Sequence, residues 1–135
     1  MEPPPTPSLH LLLLPVKVAV CRLPADAPEP EWARPGSFRA VVQTLTELSV
    51  VCEERFVPPE VKAERGWRIL MVEGPLDFAL IGVLASLTQP LAAARVSVFA
   101  ISTFDTDYLL VKEHDLVRAK ESLALAGHLV EENTR

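Results

Sequence analysis

Val98-Phe99-Ala100-Ile101-Ser102-Thr103, then Phe104-Asp105-Thr106, then Asp107-Tyr108-Leu109-Leu110-Val111-Lys112-Glu113, is the stretch whose reading decides the fold. Two apolar runs, rich in aromatic and β-branched residues, flank a short polar turn, and this predicts a β-hairpin. A faded twin lies upstream: Arg39-Ala40-Val41-Val42-Gln43-Thr44-Leu45-Thr46-Glu47-Leu48-Ser49-Val50-Val51-Cys52-Glu53-Glu54. Pairing Thr44 with Thr103 and, after a one-residue gap, Thr46 with Thr106 sets Glu47 against Asp107, Leu48 against Tyr108, Val51 against Val111 and Glu53 against Glu113. The chain uses one hairpin twice, and internal repetition outranks any single-segment reading of architecture.

Working outward from the second hairpin, Trp67 to Val72 reads as a strand closed by Glu73-Gly74-Pro75. Leu80, Leu84, Leu87 and Leu91 then recur at helical spacing, with Asp77 placed to cap the helix and Ala94 or Arg95 ending it. After the hairpin, Leu116, Ala119, Leu123 and Ala126 form one face of a second helix from about Asp115, Gly127 supplies a left-handed stop, and His128 to Glu131 makes a last strand. The order β-α-β-β-α-β is the ferredoxin-like unit, an antiparallel sheet with two helices on one face. The first hairpin is preceded by two strand-like runs, Leu9 to Leu14 and Val16 to Leu23, but residues 24–36 are too proline-rich for more than a turn around Trp32. Residues 58–65 predict a short second helix with proline at its start. The expected fold is therefore α+β, a tandem of ferredoxin-like units: a disordered tail over 1–7, a degenerate half over 8–60 and a complete domain over 66–133. Trp32 and Trp67 are expected to seal the two halves together.

Composition narrows the function. Of 135 residues 49% are hydrophobic and 23% charged, enough for a packed core. A net charge of −5 with thirteen scattered Lys and Arg argues against nucleic acid, which demands a basic stripe. No apolar run approaches the roughly 20 residues a membrane helix needs, and Glu2 sits where a secretory leader is basic. A cytoplasmic location is expected. Cys21 and Cys52 lie within apolar strands and read as buried thiols; a disulfide is geometrically allowed but nothing in the sequence demands one.

Glu73-Gly74-Pro75-Leu76-Asp77-Phe78, Gly82-Val83-Leu84-Ala85-Ser86-Leu87 and the Ser102-Thr103-Phe104-Asp105-Thr106-Asp107-Tyr108 hairpin together resemble the ACT-domain family. The resemblance is to its small two-ACT subfamily, the type seen in regulatory parts of aspartate kinases and in cytosolic arginine sensors, and runs over 67–130 with a fainter echo over 9–56. It implies an ACT domain that binds a small molecule, usually an amino acid, at an interface between ACT units. Carried residue by residue, the implied ligand-binding positions are Gly74, Leu76, Asp77 and Phe78 in the turn before the first helix and Ile101, Ser102 and Thr103 on the facing strand, with Asp105 in the hairpin turn. The chemistry is compatible: a helix N-terminus suits a carboxylate, Gly74 removes a Cβ from its path, and Asp77 or Asp105 could hold an ammonium group. Each of these has a plainer reading as well. In the plainer reading Asp77 serves only to cap the helix, and the polar hairpin turn has the residues any such turn favours.

Enzyme chemistry finds no foothold. His10, His114 and His128 lack metal-ligand spacing, there is no Cys-x-x-Cys, the five glycines are dispersed, and no serine sits in a nucleophile elbow. No catalytic residue, metal or cofactor is expected. The leading expectation is an amino-acid-binding regulatory or sensor protein, a homodimer paired through sheet edges or helices, acting on an effector protein; the alternative is an interaction scaffold that keeps the fold without the ligand.

Overall fold

The computed structural model describes residues 8–77 and 81–132. The tail expected over 1–7, and Phe78 and Leu80 of the predicted site and helix, lie outside them. Nine regular elements follow in order: β1 (His10–Leu23), β2 (Arg39–Gln43), β3 (Leu48–Glu53), β4 (Ala63–Val72), α1 (Val83–Ala93), β5 (Val98–Ser102), β6 (Asp107–Lys112), α2 (Leu116–Leu125) and β7 (Leu129–Glu132). Contacts divide the described chain into two units, residues 16–67 and residues 8–15 with 68–132. The second unit thus takes in residues 8–15 of the half expected over 8–60.

In that second unit β4, α1, β5, β6, α2 and β7 appear in the β-α-β-β-α-β order expected. Its strands are arranged β7-β1-β4-β6-β5, so the start of β1 stands between β4 and β7. β5 and β6 are antiparallel, with Ser102 opposite Asp107, while His10–Leu13 run parallel to Leu129–Glu132. The core follows from two periodicities. Leu11 and Leu13, Leu70 and Val72, Leu109 and Val111 alternate onto one face of the sheet, and they meet Val83, Leu87 and Leu91 of α1 and Ala119 and Leu123 of α2, each four residues apart. Buried His128 ties this together: its Nδ1 accepts the Leu9 N–H at 3.0 Å and its Nε2–H donates to the Ser86 carbonyl at 3.0 Å. Gly127 has φ +93°, the left-handed stop expected after α2.

The unit of residues 16–67 is ordered β2-β3-β1-β4. Ala19, Cys21, Ala33, Leu48, Val50, Cys52 and Val57 form its core. The turn expected around Trp32 is a single 3₁₀ turn, Glu31–Ala33. The helix expected over 58–65 does not form. Val61 N–H donates to the Pro58 carbonyl in one turn, and from Ala63 the chain is already extended in β4. With Ala63 and the residues after it taken up by strand pairing, residues 58–62 are too few to nucleate a helix of their own. The two strands expected on either side of Pro15 are one strand, because pairing with β7 stops at Leu13 and pairing with β3 starts at Val18. Pro15 occupies the interval where that edge of β1 needs no donor. Cys21 and Cys52 are free and buried. The hydrogen bond between them lowers the pKa of Cys21 and raises that of Cys52, and burial pushes both up.

The repeat is stricter in space than in sequence. β2 is matched by β5, β3 by β6, and the 3₁₀ turn Glu54–Phe56 by Glu113–Asp115, at a constant spacing of 59 residues (39 to 98, 48 to 107, 54 to 113). The expected one-residue gap is absent: Thr44 corresponds to Thr103 and Glu47, not Thr46, to Thr106. In each turn the first threonine N–H donates to the fourth residue's carbonyl, at 2.9 Å in 44–47 and 2.8 Å in 103–106.

Candidate functional site

The turn 103–106 is closed three ways. Besides its backbone bond, the Thr103 hydroxyl donates to the Thr106 carbonyl at 3.0 Å and accepts the Thr106 N–H at 3.3 Å. Such side-chain mimicry of a turn is what threonine does well. The turn is then anchored to the preceding strand: the buried Thr106 hydroxyl donates to the Val72 carbonyl at 2.5 Å, and Leu76 N–H donates to the Asp105 carbonyl at 2.7 Å. A Cβ on Gly74 would stand 3.1 Å from the Asp105 carbonyl oxygen and 3.2 Å from Thr106 Cβ. Glycine is used here because segment 74–76 lies directly on the turn.

Between this turn, Leu76, Asp77 and the first residue of α1 is a cavity of about 200 Å³, within one unit. Its walls are Leu76, Asp77, Val83, Ser102, Thr103, Phe104, Asp105, Thr106 and Asp107. Of the residues expected from the sequence, Leu76, Asp77, Ser102, Thr103 and Asp105 line it. Gly74 stands behind the wall against the turn. Ile101 pairs with Tyr108 and is outside the lining; Phe78 is outside the described residues. Four wall residues lie outside the ligand positions expected from the sequence: Val83, Phe104, Thr106 and Asp107. Asp107 was legible in principle, since antiparallel register sets it opposite Ser102, whose hydroxyl donates to it at 2.6 Å. Val83 was hidden by the misplaced helix start.

That start is a correction. The helix begins at Val83 behind Gly82 (φ +83°), with no side-chain cap, so Asp77 does not cap it. Gly82 enters a left-handed conformation that residues with a Cβ avoid, which ends the loop more sharply than apolar spacing could reveal. The electropositive end of α1 therefore opens at Val83, in the cavity wall. Against it stand three carboxylates, Asp77, Asp105 and Asp107, and the lining holds no Lys, Arg or His. Asp107 already accepts a hydroxyl. The arrangement can hold a cationic or amine-bearing small molecule through charge-assisted hydrogen bonds.

Comparison with known proteins bears on the family and the fold. The ACT domain model matches residues 62–124 and a second model, for an N-terminal domain, residues 17–60. Among curated proteins, the cytosolic arginine sensor for mTORC1 subunit 1 of Pongo abelii is 28% identical over 122 residues, covering 84% of this chain and 37% of that protein. The human counterpart is 46% identical over 48 residues, 35% of this chain and 15% of that one. The chain thus spans little more than a third of the curated relatives it matches. Among solved structures, protein Atu0741 of Agrobacterium tumefaciens superimposes with a TM-score of 0.91 at 34% identity, covering 96% of this chain and 97% of that one. Clostridium acetobutylicum aspartate kinase shares the fold, with a TM-score of 0.60 at 13% identity over 82% of this chain and 33% of the kinase. From its hairpin, its β-α-β-β-α-β unit and these matches, the chain belongs to the ACT-domain family.

Proposed function

We propose that this protein is an amino-acid-binding regulatory module, its ligand held at the cavity between turn 103–106 and Asp77. The observation that carries the reading is the wall itself: three carboxylates and the hydroxyls of Ser102 and Thr103, with the N-terminus of a helix at one end. That set favours an amino acid with a second positive charge, and the relative named as an arginine sensor points the same way. The carboxylates take the ammonium and the side-chain cation; the ligand carboxylate takes the helix end. Two or three such bonds correspond to roughly micromolar affinity. A second copy packed over the open cavity supplies the other wall, as expected for a site between ACT units in a homodimer. On this reading the protein works in the cytoplasm and passes its signal to an effector protein.

A thermal-shift panel of free amino acids tests this. At a hundred times Kd, a ligand that binds only the folded state adds about 2.7 kcal/mol, so arginine or lysine raises Tm and the Asp77→Asn and Asp105→Asn variants lose the rise while melting normally without ligand. A panel with no response overturns the reading. The scaffold alternative has its own support, since Phe104 in the cavity wall and Ile81 just before α1 are 81% and 83% exposed, a form that suits docking on another chain.

A further inference from the structure

The 59-residue spacing that repeats the hairpin also repeats a concavity. Within the unit of residues 16–67, Ala25, Asp26, Gln43, Thr44 and Leu45 enclose an open depression. Gln43, Thr44 and Leu45 are the spatial counterparts of Ser102, Thr103 and Phe104, three wall residues of the first cavity. Asp26 sits in the loop that follows β1, just as Asp77 sits in the loop that follows β4. Both walls are tied in place. Gln43 Nε2–H donates to the Ala25 carbonyl at 2.8 Å, Ala27 N–H donates to the Pro24 carbonyl at 3.0 Å, and the turn is closed by Thr44 N–H on the Glu47 carbonyl. A depression with fixed walls loses little entropy when it is filled.

Its chemistry differs from that of the first cavity in one respect. Where the first has Asp105 and Asp107, this one has Thr46 and the buried Leu48, so three carboxylates become one, Asp26. At its lip Leu45 is 99% exposed, an apolar side chain left wholly in water at the position of Phe104. We propose that this depression is a second amino-acid site with a different selectivity: the α-ammonium group of a neutral, apolar amino acid binds Asp26, and its side chain packs on Leu45 and Ala25. One carboxylate can neutralise one cationic end, so a dication gains nothing here, while an aliphatic side chain removes the Leu45 surface from water. The inference rests on the amino-acid-binding reading of the first cavity, and the two are separable because their residues are distinct.

The test is a titration of the ¹⁵N-labelled full chain with leucine and, separately, with arginine, following amide shifts. Leucine is expected to move the amides of 25–26 and 43–45 saturably, and Asp26→Asn to weaken that response about tenfold or more while the arginine response at 102–107 stays. No saturable leucine response at 25–26 and 43–45, with arginine still moving 102–107, overturns the second site alone. No response at either set overturns both readings, and a leucine response confined to 102–107 overturns the proposed selectivity.

Discussion

The turns 44–47 and 103–106 share their backbone bond and the threonine hydroxyl bonds that close them, and differ in how they are fastened to other strands. Thr106 is buried and bonded to the end of β4, whereas its counterpart Glu47 holds only Ser49 through its side chain. The residue before each hairpin shows the same split. Gly36 (φ +104°) and Arg95 (φ +62°) are counterparts 59 residues apart, both in the left-handed region. At Gly36 the position of a Cβ is already taken by the carboxylate of Glu53, 2.0 Å away, whose Oε2 accepts the Ser37 N–H at 2.6 Å; at Arg95 the counterpart of Glu53 is Lys112. The backbone frame was duplicated, and each copy was then tied down by side chains of its own. The difference teaches that the hairpin supplies position, while the segment after the preceding strand supplies anchoring and chemistry.

Five substitutions press on that comparison. The largest effect is expected where only one unit has a helix over its sheet: Leu87→Ala removes a fully buried side chain from α1 and should cost about 2–5 kcal/mol in a denaturant titration. An effect below that range would mean the helical cover is loosely packed. Gly36→Ala forces a Cβ into the Glu53 carboxylate at positive φ and is expected to cost about 1–3 kcal/mol; a neutral result would show the Ser37–Glu53 bond to be dispensable. Thr106→Ala strips a buried hydroxyl from the Val72 carbonyl and should also cost about 1–3 kcal/mol, while Glu47→Ala, its spatial counterpart, should stay within about 0.5 kcal/mol. Equal losses at the two positions would erase the distinction between the turns. One effect runs the other way: Arg95→Gly relieves a left-handed arginine and should raise stability by about 0.5–1 kcal/mol, measurable as a small rise in Tm.

Much of the fold could be read from residue pattern, because it rests on short periods. Apolar, β-rich runs around a polar turn marked both hairpins, spacing of three and four marked α1 and α2, and Gly127 marked a stop that the structure realises. Reading failed where a distant partner decided the local state. Pro15 looked like a strand break until the pairing showed that β1 has no partner on that edge between Leu13 and Val18. Residues 63–65 have helix-forming side chains, yet they extend because β4 gains a sheet neighbour. In the candidate site the threonine and aspartate residues of the second hairpin were visible as a motif, whereas Thr106 looked like an ordinary turn residue and not the link to Val72.

The β-α-β-β-α-β order from β4 onward, the existence of a repeat and the polar turn beside an α-helix were settled by amino-acid order alone, since each depends on neighbours a few residues apart. The gapless register of that repeat, the insertion of β1 between β4 and β7, and the gathering of Asp77, Asp105 and Asp107 around one cavity were settled only by folding. Those features depend on which strands exchange hydrogen bonds across long stretches of chain, and a linear string of residues carries no record of that choice.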